Sequence, residues 1–190
     1  MKMNSNYLYN PFNYIAGAGA LLIGIIILTA ATYAGMFTNL HFDGVIDIHI
    51  GYKAPFWFYF IEAFLSWIFV SALLYISALI ISKSKVRIID VFGTQMLAKA
   101  PFILISLISF IPFFQFEIGP AIPKFTANLI VFGILNMAVI VWVVVLMYNA
   151  YSISANVSGS KAIVSFIVSL VIAEIAAKAT FMFIANLKCS

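Results

Sequence analysis

Residues 41–50, His-Phe-Asp-Gly-Val-Ile-Asp-Ile-His-Ile, hold both histidines of the chain and two of its six carboxylates, set out as His41-x-Asp43 and Asp47-x-His49. Imidazoles and carboxylates at close range are a donor set for zinc and related ions. A histidine with an unperturbed pKa near 6.5 can also sense external pH. The spacing argues first for something plainer. Leu40, Phe42, Gly44, Ile46, Ile48 and Ile50 alternate with His41, Asp43, Val45, Asp47 and His49, the pattern of a half-buried strand. In a straight strand His41 and His49 stand roughly 26 Å apart, too far to share an ion. A reversal at Asp43-Gly44, a hairpin-type dipeptide, would bring the two His/Asp pairs together. The expectation is an extended segment with its His/Asp side in water. A metal site at His41, Asp43, Asp47 and His49, or a dimer contact, is the alternative.

A second group of chemistry-bearing residues, Glu62, Glu174, Lys178 and Asn136, sits in apolar surroundings. The elements that carry them follow from composition. The chain of 190 residues is 65% hydrophobic and 8% charged, whereas a soluble domain has about 25% charged residues. A membrane-spanning helix needs roughly 20 apolar residues to cross the hydrocarbon layer. Five segments qualify, at about residues 15–37, 56–81, 94–114, 127–151 and 162–187. Together they predict a single all-α transmembrane bundle over residues 1–190, with a short extended loop between the first two spans. The third span is irregular, because it contains Lys99, Pro101 and Pro112 and a proline kinks or breaks a helix. Lys2 alone precedes the first apolar run, which is too long for the core of a cleavable signal.

A charge at mid-bilayer costs about 2.5–3.5 kcal/mol on insertion scales, so it needs a partner. Glu174 and Lys178 are one helical turn apart on one face. At 1.5 Å per residue from residue 162, Glu174 lies about 18 Å and Lys178 about 24 Å into the fifth span. Glu62 lies about 9 Å into the second span from the opposite side, level with Lys178. The expectation is a Glu62–Lys178–Glu174 cluster that Asn136 joins, serving to fix helix register or, alternatively, to relay a proton or ion. Two runs of small residues predict close helix packing: Ser165, Ser169, Ala173 and Ala177 in the fifth span, and Ala16, Ala20 and Gly24 in the first.

No span contains a histidine or paired aspartates, so neither a metalloprotease nor an aspartyl-type intramembrane enzyme is indicated. A zinc-binding His-Glu-x-x-His motif and a phosphate-cradling loop are also missing; Gly17-Ala18-Gly19 follows no strand and is not a nucleotide fingerprint. The expectation is a protein that is not an enzyme and uses no cofactor. Basic residues lie singly at span ends, which does not suggest nucleic acid. Lys2, Lys83, Lys85, Arg87, Lys99 and Lys161 fall on one side, and Lys53, Lys124 and Lys188, with Lys178, on the other. The bias places the N-terminus inside and the C-terminus outside. Tyr14, Trp57, Tyr59, Phe113, Phe114, Tyr148 and Tyr151 lie near span ends and suggest interfacial anchoring.

Two stretches carry a resemblance. One is SKSKVRIIDVFGTQMLAKAPF, residues 82–102; the other is VWVVVLMYNAYSISANVSGSKAI, residues 141–163. Asp90, Gly93, Thr94 and Gln95, followed by Lys99 and Pro101, and then Gly159-Ser160-Lys161-Ala162, resemble the bacterial branch of the Ypt-interacting-protein (Yip) family of small polytopic proteins. The resemblance implies five spans with an inside N-terminus. Eukaryotic members bind prenylated Rab-type GTPases in vesicle traffic and carry a long hydrophilic N-terminal region, where here residues 1–14 precede the first span. Asp90 is suited to cap a helix starting near Val91, and Lys83, Lys85 and Arg87 would sit near anionic headgroups. The expected role is a scaffold or adaptor in a bacterial cytoplasmic membrane, binding membrane proteins or itself. The alternative is a small transporter or channel using the Glu/Lys cluster.

Overall fold

Hydrocarbon offers the backbone no hydrogen-bond partners, so each long apolar run must close its own bonds as a helix. The computed structural model describes residues 6–115 and 126–188; Lys2, Lys124 and Cys189 lie outside them. In chain order come α1 (Asn6–Tyr9), α2 (Gly17–Met36), strands β1 (Leu40–His41) and β2 (His49–Ile50), α3 (Phe56–Ile81), α4 (Ile88–Ala98), α5 (Phe102–Ile108), α6 (Ala127–Ser154) and α7 (Gly159–Lys188). Taking α4 and α5 together as one crossing, five segments are long and apolar enough to span a membrane. The all-α, five-span architecture expected from the sequence is the architecture of the protein.

The third span runs from Ile88 to Ile108 rather than from residue 94 to 114. Its break falls where proline requires it. Pro101 cannot donate a backbone bond, and the chain turns through Lys99 N–H to Met96 O (3.2 Å) and Ala100 N–H to Leu97 O (3.0 Å) before α5 begins. Pro112 lies past the span in a short 3₁₀ turn, Pro112–Phe114. Asp90 does not cap the helix: α4 starts three residues earlier than its expected cap implies, and Asp90 occupies the first turn, where its charge suits the helix dipole.

This broken span is the most buried of the five and forms the centre. α2 lies along α4 and α5, α6 packs on α4, and α3 packs between α4 and α7. The α2–α4 crossing is a backbone contact. A Cβ on Gly24 would stand 2.7 Å from the Leu97 amide nitrogen, and a Cβ on Gly93 would collide with the Gly17 carbonyl. Ala20 and Gly24 of the predicted small-residue run are buried in this seam, while Ala16 is the exposed residue before the helix. On α7, Ser169, Ala173 and Ala177 are buried and Ser165 is half-buried.

Several aromatic residues are placed differently from the interfacial belt. Tyr59 and Tyr151 are fully buried and Phe114 nearly so, while Tyr14, Trp57 and Phe113 stay exposed. The Tyr151 hydroxyl bonds Ser77 and Ser165, both at 3.0 Å, which ties α6 to α3 and α7.

Candidate functional site

The segment between α2 and α3 is not an extended cap with a wet face. It folds back on itself and enters the bundle. β1 and β2 pair antiparallel with His41 opposite His49, and the seven residues between them form an irregular loop. Leu40, His41, Phe42, Gly44, Val45 and Ile48 are buried, so burial does not follow the two-residue alternation of the sequence. Phe42 stacks on Phe102 of α5, ring centres 5.4 Å apart. The reversal spans residues 42–48 rather than turning tightly at Asp43-Gly44.

Irregular backbone at membrane depth is tolerated only where protein satisfies its polar groups. Three side chains, Glu174, Lys99 and Asn136, do so here. The Glu174 carboxylate accepts the amides of Val45 (2.6 Å) and Ile46 (3.2 Å). The Lys99 ammonium donates to the Val45 carbonyl (3.0 Å) and to Ser66 Oγ (3.2 Å). Asn136 Nδ2 donates to the Ile48 carbonyl (2.7 Å). Val45 is thus gripped by Glu174 at its N–H and by Lys99 at its C=O. Ser66, ten residues into α3, places this grip roughly 15 Å below the helix end, near mid-bilayer. Gly44 is the residue that permits it: a Cβ there would collide with the Glu174 carboxylate and stand 2.7 Å from Asp47 Cβ.

Nearer the mouth, two ionic groups lock the loop. His41 and Glu62 are 6% and 2% exposed and meet at 2.9 Å through Nδ1 and Oε2. His41 Nε2 lies 2.8 Å from the Tyr52 carbonyl. A carbonyl only accepts, so Nε2 carries a proton. The Nδ1–Oε2 bond then holds one further proton, as imidazolium with carboxylate or as imidazole with carboxylic acid. The ring is stacked between Tyr59 (4.6 Å) and His49 (5.6 Å).

In the second group, the Lys178 ammonium contacts Asp43 at 2.8 Å and also Asp47. His49 Nδ1 approaches the same carboxylates at 3.4 and 3.8 Å. Hydrogen bonds to Asp43 and Asp47 outweigh burial and raise the His49 imidazole to about 9. Burial pushes the Asp43 carboxyl up, but His49 and Lys178 overcome it and hold it below the usual range; the His49 bond lowers Asp47 further still. Asp43, Asp47 and His49 bring one donor atom each within 4.8 Å of one another, a spacing that a metal ion could use. Here Lys178 supplies the cation.

The expected Glu62–Lys178–Glu174 cluster with Asn136 is therefore replaced by four separate attachments. Glu62 bonds His41, Lys178 bonds Asp43 and Asp47, Glu174 bonds loop amides, and Asn136 bonds a loop carbonyl. The reason is that the loop carries its own charges inward to meet them. His41 parts from the other three metal-type residues and faces Glu62. Lys99 is 1% exposed and does not belong to the basic end with which it was counted. Gly93, Thr94, Gln95 and Pro101 are also interior, so this part of the expected interaction segment holds the core together. Gln95 Nε2 donates to the Met147 carbonyl (2.9 Å), and Thr94 Oγ1 to the Asp90 carbonyl (2.7 Å). Asp90, Gly159 and Lys161 remain at the surface or its edge.

Sequence reasoning missed Lys99 and Ser66 as anchors. The available signal was a lysine placed eleven residues after Ile88 inside an apolar run, which needs a buried acceptor wherever it falls. No protein-family model, curated protein or solved structure matches this chain.

Proposed function

We propose that this is a non-enzymatic membrane scaffold or adaptor that works through its outer helix faces, in keeping with its resemblance to the Yip family. One observation carries the reading. Glu62, Glu174, Lys178, Lys99 and Asn136 are all engaged in holding the 40–50 loop, so the polar interior acts as a closure. A protein closed in this way meets partners laterally, through membrane proteins or a second copy. The charge bias of Lys83, Lys85, Arg87 and Lys161 against Lys53 favours the α3–α4 and α6–α7 turns facing the cytoplasm. A bacterial cytoplasmic membrane is the setting that the resemblance implies.

A photo-crosslinker at lipid-facing Ile134 or Ile175 in native membranes should retrieve a discrete membrane-protein adduct. A ladder of non-specific products would overturn the reading.

A second reading, transport or channel activity, draws on one observation: irregular backbone and a buried Lys99–Val45–Glu174 bridge at mid-depth resemble the midplane sites of transporters. It requires flux in liposomes that Glu174→Gln abolishes.

A further inference from the structure

α3 and α7 leave a groove of about 590 Å³ along their shared outer seam. Small side chains make it: Ser77 on α3 and Ser165 and Ser169 on α7 form its floor, between the taller walls of Ile76, Ile80, Val164, Val168 and Ile172. Those five wall residues are each about half exposed or more. Two of the three floor hydroxyls, those of Ser77 and Ser165, are already bonded to Tyr151. From Lys161 at its mouth to Ile172, the groove runs eleven residues of α7, about 16 Å. One leaflet of the hydrocarbon core is about 15 Å thick. The groove therefore reaches from one membrane face to the midplane and stops there.

Its mouth is basic. Ser82 Oγ donates to the Ala155 carbonyl (2.6 Å) and Asn156 Nδ2 to Ser84 Oγ (2.8 Å). These bonds hold the turn carrying Lys83 and Lys85 against the α6–α7 turn that leads to Lys161. All three lysines are exposed. Among the described residues no carboxylate pairs with them; Asp90, at the same end, faces Arg87 at 3.6 Å.

We infer that this groove binds an acidic phospholipid of the leaflet at the basic end, with one acyl chain in the α3–α7 seam and the phosphate at Lys161, Lys83 and Lys85. A second copy fits less well. Two copies in one membrane share an orientation, so a two-fold dimer along this seam would set both lysine trios at the same level, with no acid between them. The lipid supplies the charge and the chain that the groove lacks.

Native mass spectrometry of the protein released from micelles supplemented with phosphatidylglycerol or phosphatidylcholine tests this. The wild type should retain phosphatidylglycerol preferentially. Lys161→Gln should reduce the preference about fivefold, and the triple Lys83→Gln, Lys85→Gln, Lys161→Gln should erase it. Val168→Trp, which fills the groove, should lose the bound lipid, while Ile134→Trp on the lipid face of α6 should keep it. Equal retention of the two lipids by the wild type overturns the inference. So does a preference that survives the triple glutamine variant or Val168→Trp, because the lipid then sits elsewhere. A disulfide between two copies of Val168→Cys in the membrane overturns it as well, because the groove is then an interface between copies. The glutamine variants alter only exposed side chains and decide the matter even if Val168→Trp fails to fold.

Discussion

Because His41 Nε2 is committed to the Tyr52 carbonyl, the Glu62 position must complete the bond at Nδ1. Glu62→Gln can do this, since an amide N–H can donate to the neutral imidazole; it should cost about 1 kcal/mol or less. Glu62→Ala leaves a buried ring nitrogen bare and should cost about 3 kcal/mol. Thermal unfolding in detergent separates the two, and equal losses would mean that side-chain volume, not the hydrogen bond, matters. The Asp43–Asp47–His49–Lys178 group gives a pH dependence. The His49 imidazole is raised by folding, so its contribution is complete below pH 6.5 and is lost as pH rises through about 9. The two carboxyls are lowered, so theirs is complete above about pH 4 and fades in acid. Loop stability should therefore be flat between about pH 4 and 6.5 and fall progressively from there to about pH 9, and His49→Gln should flatten that fall. Hydrogen exchange at loop amides reads it directly. The partnerships with the helices were hard to see in the sequence because they join residues of the loop to ones 21 to 135 positions along the chain. The charges on the helices were legible as needing partners; that residues 41–48 would supply them was not, since a two-residue alternation describes a surface strand equally well.

Helix positions were legible where the apolar run is unbroken. The second span matches at both ends, residues 56–81, because Pro55 starts it and the Ser82–Lys85 stretch ends it. The third span was displaced by six residues: the break at Lys99 and Pro101 was expected inside it, but the span begins at Ile88 and not at residue 94. Its first half, Ile88–Ala98, has glycine, threonine and glutamine on a buried face, and such residues lower the apparent hydropathy of a helix that protein surrounds. At the α2–α4 seam, Gly24→Ala should cost about 1–3 kcal/mol, because Leu97 backbone cannot move aside without parting the helices. Gly19→Ala, on the same helix with nothing within 4 Å of the added carbon, should be neutral or stabilising by up to about 1 kcal/mol. If both behave alike, helix propensity rather than interhelical contact governs α2.

Across the whole molecule, five crossings put the α3–α4 and α6–α7 turns at one end and the 40–50 loop at the other. Cysteines placed singly at Lys85, Lys161 and Lys53 should label from opposite sides of sealed vesicles, the first two together and the third apart. Labelling of all three from one side would remove a crossing. The loop's contacts also join the beginning of the chain to its end: Val45 to Glu174 and Asp43 to Lys178 are separated by 129 and 135 residues. Ribosomes deliver α7 long after the loop. Until then Asp43 and Asp47 have only His49 beside them, the Val45 amide has no Glu174 to donate to, and the nascent molecule carries an unfinished core. Synthesis interrupted before residue 174 thus leaves the loop without its Glu174 and Lys178 anchors, and α7 acts as the bolt that closes a door hung much earlier.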